Sequence, residues 1–259
     1  MSGSAFLYGD FADPEQGAAV YEAGSPPGGY SPAAALTGYA LANVLHHDPF
    51  TVVKLDGANA FLAVDLGVAR VVEAVGLLNV SSDGAVPAVK VYSSVDDATW
   101  LDHGELFDAA GWPGLRNRVA ALPAGYERRY WGLQVTTGTD WTIGKLMLGR
   151  WHEEPDWYSP GAFRETARPQ TVNRTPSGAP SVQVYGSARE RFELPYSDAS
   201  QELADVAVEI SREAKPFVYV WPDDGGARLV FLEEPVRPVR TTAVDPVWAL
   251  RLAMEAYPT

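Results

Sequence analysis

The feature that most constrains the fold is a succession of short β-rich runs within residues 43–100. The runs cover residues 60–66, 71–78 and 89–94, and Gly, Asp and Asn residues separate them. In the first run two sets of three residues alternate, and one set is entirely aliphatic: Leu62, Val64 and Leu66. A period of two between regularly spaced turn residues indicates half-buried strands in an all-β sandwich. We therefore expect this stretch to be a sandwich scaffold.

The bulk composition excludes several classes of function. The chain has 259 residues, 46% of them hydrophobic, which is enough for one large β domain or two ordinary ones. Its net charge of −13 disfavours binding to nucleic acid. Cysteine is absent, which excludes disulfides, thiolate metal sites and cysteine nucleophiles.

The sequence also shows no membrane-spanning segment and no secretory signal. No apolar run approaches the roughly 20 residues that span a bilayer, and the N-terminus lacks the cationic start of a secretory signal. We expect a soluble protein with no membrane insertion, released into the cytoplasm of the host cell that makes it.

Changes in residue pattern divide the chain into three segments. Residues 1–35 are rich in Gly, Pro and Ala and are expected to form an N-terminal arm with an edge strand at 18–21, a mobile terminus being the alternative. Residues 36–150 carry the regularly spaced strands, with a turn expected at 65–67. Acidic residues and Pro then interrupt the β pattern, and residues 151–259 are predicted to form a second domain.

The second domain combines strands with one helix. Asp198, followed three residues later by Gln201, resembles a capping box at a helix start. Pro216 is expected to end that helix. Apolar residues between these points fall on one helical face. Strands are predicted on both sides of the helix at residues 181–186, 190–196, 217–221, 228–232 and 248–254.

The order of several short segments in the first domain is informative: 43–45, 48–51, 61–67, 91–94, 129–135 and 143–146, with Asp96 and Trp100. This order resembles that of the discoidin or coagulation-factor type C family of galactose-binding-like jelly rolls, and the resemblance covers residues 36–149. The chain departs from the family at Val53, where members often carry Trp, and it lacks the disulfide that closes many extracellular members. The resemblance implies the fold, whereas the family's sugar or lipid binding does not transfer with it.

The second domain is similar to the ring domains of bacteriophage tail-tip proteins, through its single helix, the strand after Pro216 and a final alternating strand. Distal tail and related baseplate proteins of long-tailed phages pair such a domain with a galactose-binding-like accessory domain. The predicted fold class is mostly β: an N-terminal jelly-roll β-sandwich plus a C-terminal β-sandwich with one helix.

No motif for catalysis is present. The four histidines, His46, His47, His103 and His152, lack the spacing of a metal site. A nucleophile elbow, a phosphate-binding loop and a dinucleotide fingerprint are all absent. We expect no enzyme activity, no cofactor and no metal, and the missing motifs disfavour a glycosidase.

Loops at one end of the jelly roll are the candidate ligand-binding site. Their polar and aromatic residues are His46, Asp48, Asp56, Asn59 and Trp112. An exposed indole stacks on a sugar ring, and carboxylate or amide oxygens accept bonds from its hydroxyls. Packing of Trp112 on its own sandwich is the alternative. Calcium coordination by the Asp and Asn oxygens is chemically feasible, although the sequence does not establish it.

The resemblances together imply a structural virion protein at the tail tip or baseplate of a long-tailed phage. It would assemble as a homo-oligomeric ring with other phage tail proteins, and Arg164, Arg168 and Arg174 are the candidate interface residues. A solvated β-hairpin region is the alternative for the segment that carries these arginines. A host-surface glycan is a further candidate partner. The alternative is a carbohydrate-binding protein or module that acts through its first domain.

Overall fold

The chain forms two compact units. The computed structural model describes residues 4–46, 48–55, 60–82, 88–107, 117–135, 141–154, 161–167, 170–174, 180–184, 189–221, 226–241 and 247–257. Ala5–His152 and Val220–Ala227 belong to the first unit, called the jelly-roll unit below. Met1–Ser4, Glu153–Tyr219 and Arg228–Thr259 belong to the second, called the C-terminal unit. The predicted limits of three independent segments, 1–35, 36–150 and 151–259, stay a prediction.

In the described residues, the jelly-roll unit is built from three short 3-10 helices and from strands that pair mostly antiparallel, although Ser31–Pro32 pairs with Ala60–Leu78 in parallel. The helices are Pro14–Gln16, Pro27–Gly29 and Leu41–Leu45. The strands are β1 (Ser4–Tyr8), β2 (Ala19–Tyr21), β3 (Ser31–Pro32), β4 (Val53–Leu55), β5 (Ala60–Leu78), β6 (Ser81–Ser82), β7 (Val89–Ser94), β8 (Trp100–Phe107), β9 (Arg118–Val135), β10 (Trp141–Ile143) and β11 (Lys145–Glu154). The main sheet has the order β1-β11-β5-β9-β7-β8, with β2 and β3 also paired to β5, and a three-stranded sheet has the order β4-β10-β6.

The core of this unit collects residues from the inner face of the main sheet and from the three-stranded sheet. The aliphatic residues of β5, among them Leu62 and Val64, join Trp131 of β9 on that inner face. Trp141 and Val53 join the same cluster from β10 and β4. Each large apolar side chain buried in this way contributes about 1.5–3 kcal/mol to folding. The predicted sandwich follows from this packing.

The turn predicted at residues 65–67 is wrong, because β5 runs through this point as one strand. The pairing of β5 with β9 shifts register between Asp65 and Arg70 instead of ending. Gly67 has a φ of 77° and its amide donates to Asp65 Oδ1 at 2.8 Å, which absorbs the irregularity. Arg129 of β9 holds the same carboxylate with two 2.7 Å hydrogen bonds. Local turn chemistry is therefore present, but cross-strand pairing carries the strand past it.

In the described residues, the C-terminal unit consists of β-strands and one α-helix. Its elements are β12 (Phe163–Ala167), β13 (Gln170–Arg174), β14 (Pro180–Val184), β15 (Arg189–Ala199), α1 (Gln201–Glu213), β16 (Phe217–Val220), β17 (Ala227–Leu232), β18 (Val239–Arg240) and β19 (Trp248–Ala256). The strand order is β12-β15-β19-β17-β16, β18 pairs with β19, and β13 pairs with β14. The predicted class, mostly β with two β-sandwich parts and one helix, is confirmed.

Helix α1 begins two residues later than its sequence predicts. Asp198 belongs to β15, and the N-cap is Ser200, whose Oγ accepts from the amide of Leu203 at 3.0 Å. The buried residues of the helix lie on one face, as expected from their spacing: Leu203, Ala204, Val206, Ala207 and Ile210. This helix contacts β19. Among the described residues, none of the helices is long and apolar enough to cross a membrane.

Candidate ligand-binding face

The outer face of the main sheet in the jelly-roll unit carries aromatic residues where a solvated face is expected to be polar. Inner and outer residues alternate along β5, so Phe61, Ala63 and Asp65 point away from the core residues Leu62 and Val64. Phe61 and Ala63 are nevertheless each only 1% exposed. The outer face is therefore itself covered by other side chains.

Cross-strand pairing assembles this face in rows. Asp65 of β5 lies opposite Tyr130 of β9, which lies opposite Ser94 of β7, and Ser94 lies opposite Trp100 of β8. The next row begins with Tyr21 of β2 and continues through small residues to two larger ones: Ala63, Gly132, Tyr92 and Asp102. Side chains in such rows are within contact distance on one face of a sheet.

We call the resulting cluster the aromatic face; it consists of Tyr21, Tyr30, Phe61, Tyr92, Trp100 and Tyr130. The ring of Phe61 lies at the centre of the cluster. Its centroid is 4.9 Å from that of Trp100 and 5.8 Å from that of Tyr92, and both pairs have edge-to-face geometry. Tyr21 and Tyr130 form a second pair at 5.6 Å. Phe61 and Tyr92 are buried, whereas the other four rings are partly exposed. The cluster therefore presents ring surface to solvent.

Gly132 makes room for the central ring. A Cβ atom at Gly132 would lie 2.1 Å from Cζ of Phe61, closer than real Cβ contacts allow. Glycine thus lets Phe61 lie directly on the backbone of β9. This close approach sets the depth of the aromatic face.

A carboxylate on the turn after β7 ties the edge of the face together. The hydroxyl of Tyr21 donates to Asp97 Oδ1 at 2.5 Å, and the amide of Gly24 donates to Oδ2 at 3.4 Å. Burial, and then this hydrogen bond, raises the pKa of Tyr21 well above its usual value. Asp97 has a φ of 60°, a left-handed conformation that Asp tolerates better than most residues. The segment after β2 is thereby held against the turn between β7 and β8.

Polar groups also lie beside the buried Tyr92. Its hydroxyl donates to Oε1 of Gln134 at 2.9 Å. Burial raises the pKa of Tyr92 to about 12, and the neighbouring carboxylate of Asp102 adds to the shift. Asp102 is exposed and its Oδ1 accepts from the amide of Gly104 at 2.7 Å. Hydrogen-bond acceptors and donors therefore border the rings on the β8 side.

The far end of the face carries an ion pair. Hydrogen bonding by Arg129 lowers the pKa of the Asp65 carboxyl against the opposing effect of burial. The Arg129 guanidinium lies 5.0 Å from the centroid of the Tyr130 ring. This cation is thus matched by a carboxylate and an aromatic ring of its own.

Two of the loop residues predicted to bind ligand lie within the described part of the chain, and both have structural contacts. Oδ1 of Asp48 accepts from the amide of Phe50 at 3.0 Å, which closes a turn. The carbonyl of His46 accepts from Nζ of Lys145, whose ammonium also pairs with Asp10 at 2.7 Å in the interior. Asp56, Asn59, Trp112 and His47 lie outside the described residues. The loop site stays a prediction.

The arginines predicted to form an interface lie in or beside the first strands of the C-terminal unit. Arg164 on β12 donates from Nε to Glu190 at 3.2 Å. Burial raises the pKa of Glu190, but the guanidiniums of Arg164 and Arg228 outweigh it and the net shift is downward. Arg168 lies outside the described residues, and Arg174 belongs to β13. Their role in assembly stays a prediction.

In the described parts of the chain, no group of three or more His, Asp or Glu side chains is arranged to hold a metal ion. His103 is instead packed 5.6 Å from Trp131 and hydrogen-bonded to Ser93 Oγ at 2.8 Å. Burial, and then Arg128, lowers the pKa of His103.

The aromatic face was missed by sequence reasoning, although a signal for it exists. Phe61 and Tyr130 fall within segments that the sequence identifies as strands, and Trp100 follows the run at residues 89–94. In both strands the aromatic residue belongs to the set that alternates with the core residues. Aromatic residues at such positions on several strands indicate a non-polar outer face, but only strand pairing shows that they meet.

Comparisons with known proteins complete the description. No protein-family model matches the chain, and no curated protein matches it. Among solved structures, the CBM32-1 module from a family 31 glycoside hydrolase of Clostridium perfringens is 12% identical, with 45% of this chain and 88% of that chain covered and a TM-score of 0.40. The family 32 carbohydrate-binding module of NanJ from C. perfringens, solved with galactose, is 12% identical, with 57% and 99% covered and a TM-score of 0.41.

The lectin domain of lectinolysin, solved with Lewis B antigen, is 16% identical, with 56% of this chain and 98% of that chain covered and a TM-score of 0.41. At these identities and TM-scores the likeness carries no argument about what this chain binds.

Proposed function

We propose that this protein is a non-catalytic carbohydrate-binding protein, and that the aromatic face of its jelly-roll unit is the binding surface. The observation that carries the proposal is that four partly exposed rings lie on the outer face of the sheet: Tyr21, Tyr30, Trp100 and Tyr130. A sandwich needs no such rings outside its core, because an outward-facing strand surface is ordinarily polar.

The chemistry of the face suits a sugar ring. The apolar face of a pyranose stacks on an aromatic ring, while the aromatic edge and its neighbours remain wet. Around the rings, Asp97 and Asp102 supply carboxylate oxygens that accept hydrogen bonds from hydroxyl groups. A mostly aromatic surface with a few placed polar groups is the usual composition of a small-molecule site.

The test is glycan binding by the full chain, measured first on a glycan array and then by calorimetry with the best ligand. We expect Trp100→Ala to weaken binding by about five- to 150-fold, because loss of a stacked ring costs about 1–3 kcal/mol. Leu101→Ala is the matched control, since Leu101 is the next residue of β8 and is 42% exposed. It should bind as the wild type does.

A third variant separates the aromatic face from the loop end of the sandwich. Trp112→Ala removes the indole of the loop site predicted from sequence. If Trp112→Ala abolishes binding and Trp100→Ala does not, the ligand binds at the loops and the aromatic face is only a covered sheet surface. If the array and calorimetry detect no glycan at all, carbohydrate binding itself is wrong.

A second candidate function is a structural role in the tail tip or baseplate of a long-tailed phage, with the chain assembled in a ring. The observation that favours assembly is the exposed Phe163 on β12, which is the edge strand of the five-stranded order in the C-terminal unit. Unpaired strand edges with exposed apolar residues are sites where another chain adds. This role is compatible with glycan binding by the other unit.

Native mass spectrometry of the full chain tests assembly. We expect oligomers of one size, and we expect Phe163→Asp to shift them to monomers. The control is Val95→Asp, at another exposed apolar residue in the jelly-roll unit. A chain that stays monomeric at every concentration, alone and with the proteins encoded beside it, would contradict the ring.

A further inference from the structure

The charges around the aromatic face are unevenly distributed. Arg129 is matched by Asp65 at 2.7 Å, and Lys90 lies opposite Glu105 in the pairing of β7 with β8. The two carboxylates nearest the rings, Asp97 and Asp102, form no ion pair with any lysine or arginine in the described parts of the chain. The rings are therefore bordered by two carboxylates that no ion pair neutralises within the described residues.

The geometry brings these carboxylates into contact with the rings themselves. Asp97 accepts a 2.5 Å hydrogen bond from Tyr21, and Asp102 lies opposite Tyr92 in the pairing of β7 with β8. Trp100 lies between the two acids in the sequence, at the start of β8, and its ring packs on Phe61. Carboxylates and the negative faces of aromatic rings thus meet in one surface.

Such a surface selects among ligands by their charge. An ammonium group is attracted both by carboxylates and by the faces of Trp and Tyr, whereas a carboxylate or phosphate is repelled by both. The net charge of −13 on the whole chain acts in the same direction. A neutral sugar gains stacking and hydrogen bonds but no attraction between opposite charges.

We propose that the glycan bound by the aromatic face carries free amino groups, as in a polymer of unacetylated hexosamine. This inference rests on the proposed carbohydrate-binding function and specifies the class of glycan. The sugar ring would stack on Trp100, and its ammonium group would lie beside Asp97 or Asp102.

The probes are two oligosaccharides that differ only in acetylation: a glucosamine hexamer and an N-acetylglucosamine hexamer. Calorimetry with the full chain below about pH 6 keeps the amines protonated. We expect the glucosamine hexamer to bind about two- to fivefold tighter, the range for one exposed cation–π contact or ion pair. The preference should shrink as salt is added, because exposed charges are screened.

Charge-neutral variants show whether the acids cause the preference. Asp97→Asn keeps an acceptor for Tyr21 and tolerates the same left-handed backbone, and Asp102→Asn keeps an acceptor for Gly104. Each should weaken binding of the glucosamine hexamer more than binding of the acetylated hexamer, and so reduce the preference. Glu202→Gln makes the same change in net charge on helix α1 and is the control that should leave both affinities unaltered.

The outcomes separate this inference from the function it rests on. Equal binding of the two hexamers, or tighter binding of an oligogalacturonate, overturns the amino-sugar inference while carbohydrate binding stands. An amine preference that persists in Asp97→Asn, in Asp102→Asn and in the double variant also overturns it. Failure to bind either hexamer, together with an empty glycan array, refutes the proposed function itself.

Discussion

Gly132 on β9 is the position where one added methyl group tests the packing of the aromatic face most directly. A Cβ atom at Gly132 would lie 2.1 Å from Cζ of Phe61, and 2.7 and 2.8 Å from its Cε2 and Cε1 atoms. Carbon atoms in contact lie about 3.5–4.0 Å apart, so the ring has to move by roughly 1.5 Å. It cannot move alone, because Trp100 and Tyr92 pack against it at 4.9 and 5.8 Å.

Two terms of opposite sign set the size of the effect. Overpacking of this kind costs about 1–3 kcal/mol. Replacing Gly by Ala restricts the unfolded chain, which returns about 0.4–1 kcal/mol where the backbone conformation suits alanine. We therefore expect Gly132→Ala to lower the free energy of unfolding of the jelly-roll unit by about 1–2 kcal/mol. Glycan binding should weaken as well, since Trp100 is displaced with Phe61.

The assay is urea unfolding of the full chain, followed by tryptophan fluorescence and by circular dichroism. Since the chain has two compact units, the transitions are fitted separately if the two probes do not coincide. Gly24→Ala is the matched control, because its added Cβ would meet only Asp97 Oδ2, at 3.8 Å. It should not destabilise the protein.

A double-mutant cycle isolates the contact with Phe61. Phe61→Leu removes the ring atoms that the new methyl group would strike. In that background Gly132→Ala should cost almost nothing, so the two substitutions should be strongly coupled. If Gly132→Ala costs the same free energy in both backgrounds, the clash with Phe61 is not the cause and the packing argument fails.

Three further predictions concern charged and titratable groups of the jelly-roll unit. Lys145→Met leaves the buried carboxylate of Asp10 without its cation and should lower the free energy of unfolding, measured by urea titration, by about 3–5 kcal/mol. The double variant Lys145→Met with Asp10→Leu should recover most of this loss. Arg129→Gln should lower the Tm far less than Lys145→Met, because Arg129 is 43% exposed and water screens its pair; an equal loss in differential scanning calorimetry would contradict this. Burial lowers the pKa of His103 below its ordinary value of 6.5, so the unfolded chain binds the proton more readily than the folded chain does. Burying neutral His103 therefore contributes fully to the free energy of unfolding above pH 6.5, and this contribution is lost as the pH falls below that value. His103→Gln should therefore reduce the fall in Tm on acidification, with His46→Gln as the control, and an unchanged fall would refute the assignment.

Sequence reasoning predicted the elements more successfully than their ends. The alternation of residues along β5, β15 and β19 and the single helix are all present, because hydrophobic periodicity is a local property of the chain. The sequence placed the helix start at Asp198, but the N-cap is Ser200. The reason is that β15 continues through Asp198, where cross-strand pairing outweighs a local cap signal. The expected turn at residues 65–67 failed for the same reason, because the pairing of β5 with β9 continues past it.

The candidate site shows a different kind of gap. The loop residues were chosen because a family resemblance pointed to loops, and Asp48 turns out to close its own turn. Tyr21, Phe61, Tyr92 and Tyr130 of the aromatic face were visible as strand residues, whereas Trp100 was not. They were not connected with one another because they are widely separated in the chain. Nothing in their local sequence states that β2, β5, β9, β7 and β8 lie side by side.

The sequence by itself determined the β class, the positions of most strands, the amphipathic helix and the acidic charge, because each depends on composition or on spacing between near neighbours. Only the tertiary structure decided that the outer face of one sheet is aromatic. That face exists because strand order and register bring residues from five strands into rows, and because Gly132 lets Phe61 lie on the backbone beneath Trp100. The same register places Asp102 opposite Tyr92, and the fold of the segment after β2 joins Tyr21 to Asp97.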